Sequence, residues 1–263
     1  MLSLAGMPPV LAALLAGSVV AAATAAGTLP ALFARGLDQR AQDALLGFGA
    51  GIMLAASAFS LVLPGLEEAR AQGAGAWGAG ALVGVSILFG AAMIMLLDRV
   101  LPHEHFIKGP EGGSSARLKR TWLFVFAICL HNLPEGLAIG VGYAATNVAH
   151  ATALATGIAI QDLPEGLVVA LALIAVGYGR RRAVLVGMAS GLIEPVGAVA
   201  GASLVLALPF LLPCGLGFAA GAMLFVVSHE IIPESHRQGH ENFATAGLML
   251  GFVLMMLLDT ALG

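Results

Sequence analysis

Residues 131–137 read His-Asn-Leu-Pro-Glu-Gly-Leu, and residues 161–167 repeat the pattern as Gln-Asp-Leu-Pro-Glu-Gly-Leu. Each stretch lies inside a long apolar run. At about 3.6 residues per turn, the first and fifth positions of each stretch fall on one face of a helix. The proline before each glutamate removes a backbone donor, so we expect the carbonyl one turn earlier to stay unpaired. Each stretch therefore offers polar side chains and a free carbonyl oxygen inside an apolar helix.

The composition is that of a membrane protein. Of 263 residues, 59% are hydrophobic and 10% are charged, and the mean hydropathy is +0.95. These values exclude an ordinary water-soluble domain and indicate a polytopic protein in a lipid bilayer, with no nucleic-acid partner. The 35 glycines suit close packing of helices in lipid.

Eight apolar segments are long enough, at about 20 residues each, to span a bilayer. We therefore predict an all-α fold of eight transmembrane helices in a single domain covering residues 1–263. The stretch 102–120, which is rich in Gly, Ser, Lys and Arg, is predicted to be a flexible loop. The predicted helices are 8–34, 43–64, 76–101, 121–146, 151–177, 183–207, 214–235 and 243–262.

The basic residues predict the orientation. Eleven of the twelve Lys and Arg residues fall in or beside odd-numbered connections, and Arg70 alone falls in an even-numbered one. By the positive-inside rule the odd connections, including 102–120, are cytoplasmic, and both termini lie outside. With this parity, helices 1–3 and helices 6–8 run in opposite senses around helices 4–5. If the two triplets are related, they form an inverted repeat, an architecture common in transporters.

Five carboxylates are expected within the membrane: Glu135, Asp162, Glu165, Glu194 and Glu230. Each would cost roughly 2.5 kcal/mol or more at the centre of a helix. No Lys or Arg lies at that depth, so protons, bound cations or cavity water must compensate. One interpretation is a set of protonated acids that join helices by hydrogen bonds, and the other is a cation site.

Nearby nitrogen and amide groups favour the cation site. His131, Asn132 and Gln161 flank the carboxylates in the two repeated stretches. Carboxylates alone would suit Mg²⁺ or Ca²⁺, whereas a histidine with carboxylates suits Zn²⁺, Fe²⁺, Mn²⁺ or Cd²⁺. Met53, at the centre of the second helix, could add a sulfur ligand, although ordinary packing also explains it and Met223 lies at similar depth.

The seventh helix carries a second polar group toward its cytoplasmic end. There His229 and Glu230 precede Pro233. Two interpretations stay open: a relay that receives metal on its way out, or a solvated helix end.

The two repeated stretches resemble the signatures of the ZIP (Zrt/Irt-like protein) divalent metal transporters, particularly the bacterial GufA-like branch. The resemblance implies eight helices with both termini outside, and uptake of Zn²⁺ and related ions through a binuclear site between helices four and five. Many eukaryotic members carry a second histidine where this chain has Gln161 and Asp162, so the site here is more oxygen-rich. The ligands implied are His131, Asn132, Glu135, Gln161, Asp162 and Glu165, with Glu194 and Met53 from helices six and two.

Two other classes of protein share part of this pattern. An intramembrane zinc protease would need the HExxH motif, and the position of its second histidine is Pro233 here. A proton or monovalent-cation conductor could use the same carboxylates, but it needs no cluster of His, Asn and Glu. We therefore expect a transporter rather than an enzyme, without a prosthetic group, in a bacterial inner membrane. Zn²⁺ or Cd²⁺ would be its substrate, and a homodimer is compatible with the sequence.

Overall fold

The structure is a computed structural model that describes residues 6–33, 38–100, 132–145, 147–175 and 177–262. These parts of the chain contain helices and no strands, as the sequence predicts. The predicted loop 102–120 lies outside them. The α-helices are α1 Pro9–Thr28, α2 Gln39–Ala55, α3 Leu63–Ala71, α4 Ala76–Val100, α5 at 132–144, α6 Val148–Ala175, α7 Arg180–Ser190, α8 Ile193–Ala207, α9 Leu212–Val226, α10 Ile232–His236 and α11 Glu241–Leu262.

Among the described residues, seven helical spans are long and apolar enough to cross a membrane. Their outer surfaces are apolar: Leu88 on α4 is 70% exposed and Leu250 on α11 is 67% exposed. Lipid, unlike water, solvates such faces at little cost, so the predicted polytopic membrane protein is confirmed. Of the fourth predicted helix, 121–146, the described part is α5.

Several predicted helix ends fall short of the observed ones. The second predicted helix, 43–64, is the middle of a continuous span, Gln39–Ala71, so Arg40 and Arg70 lie in helices instead of loops. Likewise, the helix predicted to begin at 183 begins at Arg180. Hydropathy drops at charged residues, but the backbone continues because long basic side chains reach polar surroundings from a helix end.

Two spans contain a π-helical segment in front of a proline. Ala56–Val62 separates α2 from α3, whose second residue is Pro64, and Val227–Ile231 separates α9 from α10, whose second residue is Pro233. Proline has no N–H to bond the preceding turn, and the wider winding accommodates that loss. The two spans therefore share one local irregularity at corresponding places.

The helices pack in matching pairs. α2 lies against α11 and α4 against α9, while α1 lies against both α6 and α8. α5 packs on α8, where a Cβ on Gly136 or Gly140 would overlap the backbone of Glu194 or Ala198. Glycine at these crossings lets the helix backbones touch, which is how helices associate in lipid. Because α6 also contacts α2 and α11, the polar residues of α6 face the middle of the bundle.

Candidate metal site

Residues 132–137 of the first repeated stretch meet the second stretch, 161–167, in the interior of the bundle. Carboxylate oxygens of Glu135 on α5 and of Asp162 and Glu165 on α6 lie within 4.8 Å of one another. The amide of Gln161, also on α6, donates a hydrogen bond to Oε1 of Glu135. Glu135 is fully buried and Asp162 is 1% exposed, whereas Glu165 is partly exposed. Glu165 is therefore the most exposed of the three carboxylates.

This cluster concentrates negative charge. Two unit charges 4.8 Å apart repel by about 3.5 kcal/mol at an effective dielectric constant of about 20. Three such pairs would repel by roughly 10 kcal/mol, which equals the whole stability of many domains. Among the described residues, neither Glu135 nor Asp162 forms an ion pair with a Lys or Arg side chain. A bound cation removes this repulsion by balancing the charge.

A fourth carboxylate, Glu194, lies beside the cluster. Gly191 and Leu192 interrupt the span between α7 and α8, which places Glu194 in the first turn of α8. The partial positive charge at a helix N-terminus stabilises a carboxylate there. Glu194 is fully buried, and its Oε1 accepts a hydrogen bond of 2.9 Å from Nδ2 of Asn132 on α5. The Nδ2 group of Asn132 also lies 3.4 Å from the carbonyl oxygen of Ser190.

Among the described residues, four buried oxygens at the site find no hydrogen-bond partner, and all four are acceptors. An unsatisfied buried polar group costs about 1–3 kcal/mol, and such groups are rare in folded proteins. In both amides the nitrogen donates to a carboxylate, so the amide oxygen is the atom left over. Carboxylate and amide oxygens are ligands for divalent metals. The unpaired atoms are Asn132 Oδ1, Glu135 Oε2, Gln161 Oε1 and Glu194 Oε2.

The remaining predicted ligands are placed differently. Met53 is 1% exposed and packs in the main hydrophobic core. His229 is exposed and its ring stacks on Phe225, with 4.9 Å between ring centroids, while Glu230 is partly exposed. Neither His229 nor Glu230 belongs to the three-carboxylate cluster found among the described residues. His131 lies outside the described residues.

Sequence reasoning missed one residue of this site. Thr24, on α1, is 2% exposed, and its hydroxyl oxygen lies 3.1 Å from Oδ2 of Asp162 and 3.0 Å from Oε1 of Glu194. The only available signal was a single polar side chain in the run Ala-Ala-Ala-Thr-Ala-Ala-Gly. The contact joins residues 138 and 170 positions apart, which no local pattern predicts.

Comparison with known proteins identifies the family. A family model described as ZIP Zinc transporter matches residues 108–259. The chain is 54% identical to zinc transporter ZIPB of Bordetella bronchiseptica, over 95% of this chain and 81% of that protein. It is 44% identical to zinc transporter GufA of Myxococcus xanthus, over 96% of this chain and 99% of that protein. It is 34% identical to zinc transporter ZIP11 of Homo sapiens, over 91% of this chain and 94% of that protein. The chain belongs to the ZIP zinc transporter family.

Proposed function

We propose that this protein carries divalent transition metal ions, with Zn²⁺ as the preferred substrate, across a membrane into the cytoplasm. The observation that carries the proposal is the set of four unpaired buried acceptors beside the three clustered carboxylates. Unpaired buried acceptors and mutually repelling carboxylates each destabilise the folded protein. A divalent cation would coordinate the acceptors and balance the charge of the carboxylates at the same time. The names of the relatives, which are zinc transporters, support the same substrate.

The arrangement supports two metal positions that share ligands. Glu135, Asp162 and Glu165 would hold one ion, with His131 and Gln161 completing its shell. Glu194 and Asn132 would hold a second ion beside it, sharing carboxylates of the first. Borderline metals such as Zn²⁺ and Cd²⁺ accept this mixture of oxygen with one imidazole nitrogen. Met53 would add a sulfur ligand if α2 moved toward α6.

The topology of the proposed transporter is eight helices with both termini outside. Matching features support an inverted repeat of helices 1–3 and 6–8. The pairing of α2 with α11 corresponds to that of α9 with α4, and the pairing of α1 with α6 corresponds to that of α8 with α5. The two π-helical segments also fall in corresponding spans. Inverted repeats commonly place the substrate site at mid-membrane, where alternating access opens it to either side.

On this orientation, His229 and Glu230 belong to the cytoplasmic half of the protein. We propose that they receive the ion after it leaves the central carboxylates. The exposed imidazole of His229 suits brief metal contact better than tight binding. The basic connections on one side support this orientation, and we propose a bacterial inner membrane as the location.

The proposal includes no enzymatic step. Pro233 stands where a zinc protease of the HExxH type needs its second histidine. The competing function, proton or monovalent-cation conduction, uses the same carboxylates and differs in what crosses the membrane. An ion-selective flux assay therefore separates the two.

The decisive experiment is metal flux into proteoliposomes loaded with a metal-sensitive dye. The intact protein is expected to carry Zn²⁺ and Cd²⁺, and Glu165→Ala and His131→Ala are expected to lose most of that flux. Glu67→Ala serves as the matched control because Glu67 is an exposed carboxylate on α3. Proton flux without metal flux would support the conductor, and metal flux unchanged by both site variants would contradict the site.

A further inference from the structure

Thr24 joins two carboxylates of the candidate site. Its hydroxyl oxygen lies 3.0 Å from Oε1 of Glu194 and 3.1 Å from Oδ2 of Asp162. We propose that Thr24 is a positioning residue for the transported metal: its hydroxyl fixes the spacing of these two carboxylates and thereby sets metal affinity and selectivity. This inference rests on the proposed metal transport and assigns α1 a part in it.

The Thr24 hydroxyl lies closer to the two carboxylates than to the backbone carbonyl of its own helix. Buried threonines in helices usually bond the carbonyl one turn earlier. The corresponding distance, from Thr24 Oγ1 to the carbonyl oxygen of Val20, is 3.3 Å and is longer than both carboxylate contacts. Thr28, one turn further along α1, shows the ordinary pattern, since its hydroxyl bonds the carbonyl of Ala25 at 2.7 Å.

A hydroxyl has one proton, so Thr24 can donate to only one carboxylate at a time. With both carboxylates ionised, the second oxygen contact is repulsive unless positive charge lies nearby. A divalent ion on the opposite side of the two carboxylates supplies that charge. The other oxygen of Glu194, Oε2, is buried and has no hydrogen-bond partner in the described parts of the chain. Thr24 therefore holds one oxygen of Glu194 and leaves the other for the metal.

Close packing holds Thr24 in this orientation. A Cβ added at Gly191 would lie 3.0 Å from Cβ and 3.2 Å from Oγ1 of Thr24, and one added at Gly166 would overlap the carbonyl oxygen of Thr24. Glycine on two neighbouring spans thus lets α1 approach α6 and the α7–α8 break. The β-branched side chain has few rotamers to begin with, and these contacts restrict it further.

The Thr24 hydroxyl thereby sets the distance between the carboxylates of Asp162 and Glu194. Without the hydroxyl, Asp162 and Glu194 lose their common partner and are free to separate. Cd²⁺ is larger than Zn²⁺, so a widened site is expected to lose more affinity for Zn²⁺ than for Cd²⁺. A purely structural role for Thr24 predicts no such change in selectivity.

The test compares Thr24→Val, which keeps the shape and removes the hydroxyl, with Thr24→Ser, which keeps the hydroxyl. Thr28→Val is the matched control, because it removes a buried hydroxyl from the same helix, and among the described residues that hydroxyl bonds a backbone carbonyl and no carboxylate. KM and maximal rate are measured for Zn²⁺ and Cd²⁺ flux in proteoliposomes, and melting temperature is measured without metal. Thr24→Val is expected to raise KM for Zn²⁺ about tenfold, as for the loss of one hydrogen bond to a charged group.

We also expect KM for Cd²⁺ to rise less, Thr24→Ser to stay close to the intact protein, and Thr28→Val to leave both KM values unchanged. Equal KM values and selectivity in Thr24→Val, Thr28→Val and the intact protein would overturn the inference while leaving the transport function in place. A failure of Thr24→Ser to restore KM, at a normal metal-free melting temperature, would overturn it as well. Absence of metal flux in the intact protein would instead remove the proposed function itself.

Discussion

Replacing Glu165 by glutamine should change stability in opposite directions without and with metal. Glutamine keeps the size of the side chain and removes one negative charge from the cluster of Glu135, Asp162 and Glu165. In the metal-free protein this removes two repulsive pairs, each worth up to about 3.5 kcal/mol when fully ionised at 4.8 Å. Proton uptake by the cluster reduces that repulsion, so we expect a gain of about 1 kcal/mol, or a rise in Tm of roughly 2–4 °C.

With bound metal, the stability difference between Glu165→Gln and the intact protein changes sign. A Zn²⁺ concentration 100 times the Kd stabilises the native intact protein by about 2.7 kcal/mol. If the loss of one carboxylate ligand weakens binding about a hundredfold, the same concentration stabilises Glu165→Gln by only about 0.4 kcal/mol. The variant should therefore melt higher than the intact protein in a chelator and lower in Zn²⁺.

The assay is thermal unfolding of detergent-solubilised protein, followed by intrinsic fluorescence with EDTA and then across a zinc titration. Glu67→Gln is the control, since it removes an exposed carboxylate on α3 and should leave both melting temperatures unchanged. The reasoning is refuted if Glu165→Gln melts at or below the intact protein in EDTA and keeps the full zinc-dependent rise.

Two further predictions concern the packing that supports the site. Gly136→Ala would push a methyl group into the carbonyl oxygen of Glu194, so it should lower stability by about 1–3 kcal/mol and weaken zinc binding. Gly84→Ala, which has open space around the added methyl group, should change neither stability nor zinc affinity. Thermal unfolding measures the stability of both variants, and zinc titration measures their affinity. His240→Ala removes the imidazole 2.9 Å from the fully buried carboxylate of Asp43 and should lower stability by about 1–3 kcal/mol in urea or heat without changing KM for zinc. Full stability of Gly136→Ala, or an altered KM in His240→Ala, would contradict these assignments.

The centre of the site was predictable because its residues repeat at helical spacing. Glu135 and Glu165 each follow a proline in matching stretches, and the cost of a carboxylate in lipid makes such residues conspicuous. The apolar lengths of the spans predicted the helical fold for a similar reason. Both features were predictable because each depends on one local requirement: the cost of a carboxylate in lipid or the length of an apolar span.

The parts that sequence reasoning missed depend on contacts between distant helices. Thr24 is an ordinary threonine within α1 until α6 and α8 bring Asp162 and Glu194 to it. The interruption at Gly191 lay within a segment read as one apolar helix, 183–207, although it places Glu194 at a helix N-terminus. The predicted helix starts at 43 and 183 come later than the observed starts at Gln39 and Arg180, since hydropathy marks the edge of the apolar region and not the first helical turn.

Metal transport by this protein requires metal binding among Glu135, Asp162 and Glu165. The most direct measurement is an anomalous difference map at the zinc absorption edge, from crystals of the full chain grown with Zn²⁺. We expect a strong peak between these three carboxylates, and a second peak beside Glu194 if two ions bind at once. Peaks only at surface histidines, with the three carboxylates joined directly by hydrogen bonds, would contradict it.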